Sequence, residues 1–226
     1  MFYNAKKGMA FNMKSVLIIG LGRFGRHMAQ KLLDDGHSVM IVERDEARAD
    51  MAVDLATNIQ IADATNEMFL RSIGVSDFDL CVIAIGDNFQ SSLEITVLLK
   101  DLGAKFILAR ASRDVHRKLL LRNGADRVVY AEREMAERLA VSYGSDSIFD
   151  YIGLSGNIGI YEIAVPEQWL GHSIVEMSVR ARYHVSILAT KRSGVICPLP
   201  HPDHVFDSAE TLMVMGDYDD IKKLTK

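Results

Sequence analysis

The chain has 226 residues, room for two modest domains, with 49% apolar and 25% charged side chains and a formal net charge of −4. That balance supplies enough apolar surface for a buried core and excludes bulk disorder, and an acidic chain gives no electrostatic footing for nucleic acid. No run approaches the roughly 20 apolar residues that cross a bilayer, no signal-peptide core precedes the first strand, and two isolated cysteines, Cys81 and Cys197, exclude a disulfide framework or a Cys-ligated zinc site, so a cytosolic protein is expected.

Residues 1–13 lack periodicity and are expected to form a tail, or a segment ahead of a start at Met13. From Ser15 short apolar runs alternate with helical patterns. The runs predict strands at Val16–Ile19, Ser38–Val42, Ile59–Ala62, Leu80–Ile85, Phe106–Ala109 and Arg127–Tyr130. Between them the spacing predicts helices over Arg23–Asp35, Asp45–Leu55, Glu67–Ile73, Phe89–Leu102 and Val115–Asn123, with a sixth over Glu132–Tyr143. Gly36, Gly103 and Gly124 stand where helices stop. Continuous apolar strands with a helix in each connection imply a parallel sheet covered on both faces, an α/β, Rossmann-type doubly wound domain over residues 14–143.

Ser145-Asp146-Ser147 interrupts the alternation, and residues 144–226 read as a second, small α+β domain. It should hold a strand at Gly159–Val165, a helix near Ile174–Tyr183, strands at Val185–Lys191, Val195–Pro198 and Thr211–Met215, and a final helix at Tyr218–Leu224.

Gly20-Leu21-Gly22-Arg23-Phe24-Gly25 follows the first strand and opens the first helix. In that context Gly20 makes the tight turn, Gly22 admits a pyrophosphate to the backbone N–H groups, and Gly25 lets helix and strand approach. The helix N-terminus adds unpaired N–H groups and about half a positive charge. Glu43 ends the second strand 18 positions beyond Gly25, near the spacing of an acid that accepts ribose hydroxyls. A carboxylate there disfavours a 2′-phosphate, while Arg44 beside it pulls the other way. Asp63-Ala64-Thr65 and Gly86-Asp87-Asn88 fall at strand C-terminal ends, where open α/β sheets bind ligands; the same residue types cap helices, so both readings stand.

The motifs Ile19–Gly25, Ala62–Thr65, Ala84-Ile85-Gly86-Asp87-Asn88, Gly124–Val129 and Val179–Tyr183 together resemble the RCK-domain (TrkA/KtrA-like) cytosolic regulatory subunits of Trk/Ktr potassium uptake systems, over nearly the whole chain from Lys14. The resemblance implies ATP or ADP in the Ktr branch, which the GRFG loop favours, or NAD(H) in the Trk branch. It assigns Arg23 to the terminal phosphate, Glu43, where the family usually has aspartate, to the ribose, Arg110 to a basic position after strand five, and Glu132 to a glutamate near the phosphates that helps hold a divalent cation across a dimer interface. It also implies homodimers assembled into an octameric ring, docked on the inner face of the plasma membrane through a TrkH/KtrB-like potassium-translocating subunit. Some relatives bind cyclic di-AMP in the small domain, at positions matching Ile174, Val175, Arg180 and a proline at Pro200 or Pro202; Arg180 also reads as a surface salt-bridge residue.

The rival reading is an NAD-dependent oxidoreductase, since fold does not fix function. It needs an acid/base set beside the nicotinamide, and no such set stands at recognisable spacing, so a non-enzyme is expected. His201-Pro202-Asp203-His204 lies among prolines without the fixed spacing of a helical zinc pair and reads as a solvated loop, and Met213-Val214-Met215 as strand core.

Overall fold

The structure, a computed structural model, describes residues 13–225. Residues 1–12 of the expected tail lie outside the described residues. By its contacts the chain forms two compact units divided between Ala131 and Glu132. The helix at Ala131–Tyr143, grouped with the first domain on sequence, falls by this division almost wholly in the second unit.

The first unit carries strands β1 (Ser15–Ile19), β2 (Ser38–Glu43), β3 (Asn58–Ile61), β4 (Leu80–Ile83), β5 (Ile107–Arg110) and β6 (Arg127–Val129). All pair in parallel, in the order β3-β2-β1-β4-β5-β6. This is the doubly wound arrangement, whose strand order reverses direction between β1 and β4 and leaves a crevice there. Its connections hold α1 (Arg23–Asp34), α2 (Glu46–Asp50), α3 (Glu67–Ser72), α4 (Phe89–Asp101) and α5 (Asp114–Arg122).

Alternation along β1 divides the core, because successive side chains leave opposite faces of a strand. Leu17 and Ile19 join Leu70, Ile95, Leu99 and Leu120 from α3, α4 and α5, while Val16 and Ile18 join Ala29 of α1 with Val39, Ile41 and Ala52. Helix α1 presents Gly25, Met28, Ala29, Leu32 and Leu33 on one stripe, the spacing of an amphipathic helix. The expected helix over Asp45–Leu55 is shorter: α2 stops at Asp50, and a 3-10 turn at Val53–Leu55 completes the connection.

The second unit opens with α6 (Ala131–Tyr143) and builds an antiparallel sheet from β7 (Ile148–Ser155), β8 (Ile158–Ala164), β9 (Ser186–Arg192), β10 (Val195–Pro198) and β11 (Glu210–Asp217), in the order β10-β9-β11-β8-β7. Strand β7 is absent from the sequence reading. It pairs with β8 across Gly156-Asn157, where Gly156 takes φ +57°. The helix expected over Ile174–Tyr183 is two: α7 (Ile174–Met177) and α8 (Val179–Tyr183), broken at Ser178 with φ +48°. A last helix, α9 (Tyr218–Leu224), closes the chain. Trp169, fully buried, anchors this core against Tyr183 and Phe206 at ring-centroid distances of 5.1 and 5.2 Å. None of the described helices is long and apolar enough to cross a membrane.

Candidate functional site

The C-terminal ends of β1, β2 and β4 open into a cleft of about 520 Å³, within the range of small-molecule sites. Its floor is the glycine loop between β1 and α1. Gly20 takes φ +98°, a conformation that side chains with a Cβ avoid, and a Cβ there would also stand 3.1 Å from Ile85 Cγ1. At Gly25 a Cβ would collide with the Gly20 carbonyl oxygen and approach Ala84 Cβ to 3.2 Å. These two glycines are therefore required by the protein's own packing. Gly22 is different: it has φ −66° and ψ 179°, open to any residue, and a Cβ would meet only the Ala84 carbonyl oxygen at 4.0 Å. The protein's own packing therefore does not require glycine here, and the backbone lies bare toward the cleft.

Gly22 is the N-cap of α1, so no side chain covers the first-turn N–H groups, and no acidic residue occupies that turn. The amides and the positive end of the helix dipole are left for an anion. Five arginines, Arg23, Arg26, Arg44, Arg48 and Arg110, line the cleft against three carboxylates, Glu43, Asp63 and Asp87. In a chain of net charge −4, this is a local excess of positive charge, which concentrates anionic ligands. The guanidinium of Arg110 lies against Gly86, where any Cβ would overlap Nη1.

Glu43 is 6% exposed. Its Oε2 accepts the Leu21 N–H at 2.7 Å, and its Oε1 accepts those of Arg44 and Asp45 at 2.9 and 3.0 Å. A carboxylate offers about four lone-pair positions, so about one remains for a ligand hydroxyl. Glu43 is thus first a brace that ties the end of β2 to the glycine loop. Asp63 accepts the Thr65 N–H and hydroxyl at 2.9 and 2.8 Å; these bonds, with the charge of Arg44, hold its carboxyl below the ordinary aspartate value. Asn88 caps α4 by accepting the Ser91 N–H at 3.1 Å. Asn88 thus combines helix capping with a place on the cleft wall, whereas Asp63 closes a local turn onto Thr65 and leaves the capping of α3 to Asn66.

Of the residues expected from sequence, Gly20, Gly22, Arg23, Glu43, Arg44, Asp63 and Ala64 line the cleft on one side of the switch point or at its floor. Ala84, Ile85, Gly86, Asn88 and Arg110 complete it on the other. Phe24, Gly25 and Thr65 do not line it: Phe24 packs from α1 against the core, Gly25 against Gly20, and Thr65 turns to Asp63. Glu132 belongs to the second unit, in the first turn of α6. Arg26, Arg48, Met51 and Ser91 also line the cleft and were not singled out from sequence. For Arg26 a signal existed, since it lies three positions after Arg23 on a helix and so shares its face.

In the second unit the first-turn amides of α7 are used internally. Ile174 N–H donates to the His204 carbonyl at 3.1 Å, Val175 N–H to the Pro202 carbonyl at 2.9 Å, and Glu176 N–H to Ser173 Oγ at 3.3 Å. The loop carrying Pro200 and Pro202 therefore lies across the start of this helix, next to the expected second-ligand residues Ile174 and Val175, while Arg180 is exposed on α8. His204 is more than a solvated loop residue: its Nε2 lies 2.8 Å from Oε1 of Glu210, which is 5% exposed. Among the described residues no three His, Cys, Asp or Glu side chains gather closely enough to hold a metal ion.

Comparison with known proteins gives a consistent picture. The TrkA-N domain model matches residues 16–131. The Ktr system potassium uptake protein A of Bacillus subtilis (strain 168) is 36% identical over 210 residues, covering 93% of this chain and 95% of its own. Protein C of the same system and organism is 34% identical over 213 residues, 94% of this chain and 96% of its own. Among solved structures, GsuK is similar both as its RCK domain (TM-score 0.66, 19% identity, all of this chain and 50% of that one) and as the channel bound to NAD (TM-score 0.67, 20% identity, 96% of this chain and 40% of that one). At that identity GsuK speaks for the fold.

Proposed function

The chain belongs to the TrkA-N domain family, and from that premise we propose that it is the nucleotide-sensing regulatory subunit of a potassium uptake system. The observation that carries this reading is Gly22: an uncapped helix N-terminus opens on a basic cleft through a glycine that no protein atom requires. The ligand class is an adenine nucleotide with at least two phosphates, ATP or ADP, with NAD(H) as the alternative that the same crevice accommodates. Support for the regulatory role comes from relatives that match over more than nine-tenths of the chain and act in potassium uptake. The partner is a membrane subunit that translocates potassium, approached from the cytoplasmic side by a ring of dimers.

The mechanism requires only a difference in affinity between two ring shapes. A ligand shifts such an equilibrium by its differential binding, and coupling of about 1–3 kcal/mol corresponds to roughly 5–150-fold. One charge-assisted hydrogen bond to an additional phosphate, about 1.5–3 kcal/mol, supplies that difference. Arg23, on the cleft wall at the start of α1, is the residue in this account that distinguishes ATP from ADP. Calorimetric titration of wild type and Arg23→Ala with ATP, ADP, NAD and NADH tests it. The ATP/ADP affinity ratio should collapse in the variant; an unchanged ratio contradicts the role, and wild type that binds none of the four contradicts the function.

A further inference from the structure

Leu21, at the centre of the glycine loop, is held at both ends by charged side chains. Its N–H donates to Glu43 Oε2 at 2.7 Å, and its carbonyl oxygen accepts from Arg26 Nε at 3.2 Å. Arg26 reaches further: its Nη2 donates to the Arg48 carbonyl oxygen in α2 at 3.3 Å. The rigid guanidinium fork thus ties the loop to the helix beside it, which a single-point ammonium cannot do.

The consequence follows from peptide geometry. In a planar trans peptide the C=O and the following N–H point in opposite directions. By gripping the Leu21 carbonyl, Arg26 fixes which way the Gly22 N–H points. Gly22 cannot fix this itself, since glycine turns freely and, beyond its chain neighbours, only the Ala84 carbonyl oxygen comes as near as 4.0 Å to where its Cβ would be. Among the described residues no partner within the protein takes the Gly22 N–H.

We propose that Arg26 is the positioning residue of the anion site: it locks the Leu21–Gly22 peptide so that the N–H faces the ligand's phosphates and the carbonyl dipole is turned away from them. This inference rests on the nucleotide-binding reading above. It makes Arg26 responsible for the phosphate part of affinity and not for the nucleoside part, and it separates Arg26 from Arg23, whose charge acts on the ligand directly.

The test is titration of the full chain with ADP and with adenosine for wild type, Arg26→Met and Arg26→Lys, with the ligand-free melting temperature recorded alongside. Loss of one oriented N–H to a phosphate should weaken ADP binding by about tenfold or more in Arg26→Met while adenosine affinity stays at the wild-type value. Arg26→Lys keeps the charge and loses the fork, so it should weaken ADP binding as well, and it carries the test if the methionine variant does not fold. Wild-type ADP affinity in Arg26→Lys would overturn the proposal in favour of simple charge, and equal loss for ADP and adenosine would overturn it in favour of general disruption. Wild type that binds neither compound would instead overturn the nucleotide site itself.

Discussion

Replacing Glu43 with glutamine changes almost nothing in shape and removes an acceptor from a place that needs it. Three backbone N–H groups converge on this carboxylate at 2.7, 2.9 and 3.0 Å, in surroundings that leave it 6% exposed. A carboxamide has one acceptor oxygen and one donor group. If the oxygen faces Arg44 and Asp45, the NH2 meets the Leu21 N–H donor to donor; if it is reversed, two N–H groups lose their acceptor. Either way a buried donor is stranded, which costs about 1–3 kcal/mol, and the bonds that remain lose their charge assistance. With about 2.1 cal/mol/K of unfolding entropy per residue, a loss of 2 kcal/mol in a unit of roughly 120 residues lowers its melting temperature by about 8 °C. Scanning calorimetry of Glu43→Gln without ligand reads this directly. A melting temperature within about 2 °C of wild type would refute the reasoning, because it would mean that the three amides have other acceptors.

Two further outcomes follow. Gly25→Ala forces a methyl group against the Gly20 carbonyl oxygen and Ala84 Cβ, and overpacking of this kind should cost about 1–3 kcal/mol; thermal unfolding checks it, and wild-type stability would show that α1 shifts freely. Acidification should also destabilise the protein. The Asp63 carboxyl is held low by the Thr65 N–H, and that of Asp150 by the Arg138 guanidinium. The unfolded chain then binds more protons than the folded one, so this stability is full above the ordinary aspartate value of about 3.9 and is lost as pH falls through the lower folded values. Denaturant unfolding at pH 6, 4 and 3 should give a decline below about pH 4, and stability that holds or rises there would contradict the sign.

Much of the phosphate-binding half of the site was legible because its signals are local. A glycine loop between an apolar strand and an amphipathic helix specifies its own geometry, and strand ends in a parallel sheet mark a common rim. What spacing could not convey is direction. Glu43 stands at the expected place, yet most of its acceptor capacity turns inward to Leu21, Arg44 and Asp45, which depends on how β2 ends against the loop. Arg26 and Arg48 are brought together by the packing of α1 beside α2, a tertiary contact with no sequence period. In the second unit Gly156-Asn157 between two apolar runs is a hairpin signal for β7 and β8, but Ser145-Asp146-Ser147 just before β7 has the composition of a break and masks the strand's start. The division of α7 from α8 rests on Ser178 in a left-handed conformation, for which serine gives no warning.

The most direct test is the stabilisation that ADP confers on Gly22→Ala compared with wild type. The backbone at Gly22 accepts alanine without strain and the added methyl finds open space, so the ligand-free melting temperature should stay near the wild-type value: the entropic gain of a compatible Gly-to-Ala change, about 0.4–1 kcal/mol, is offset by alanine's poorer fit at an N-cap. Wild type at 100 times the dissociation constant should gain about 2.7 kcal/mol from ADP. The variant should lose most of this gain while its fold remains intact; an undiminished ADP shift in Gly22→Ala would contradict phosphate binding at the bare start of α1.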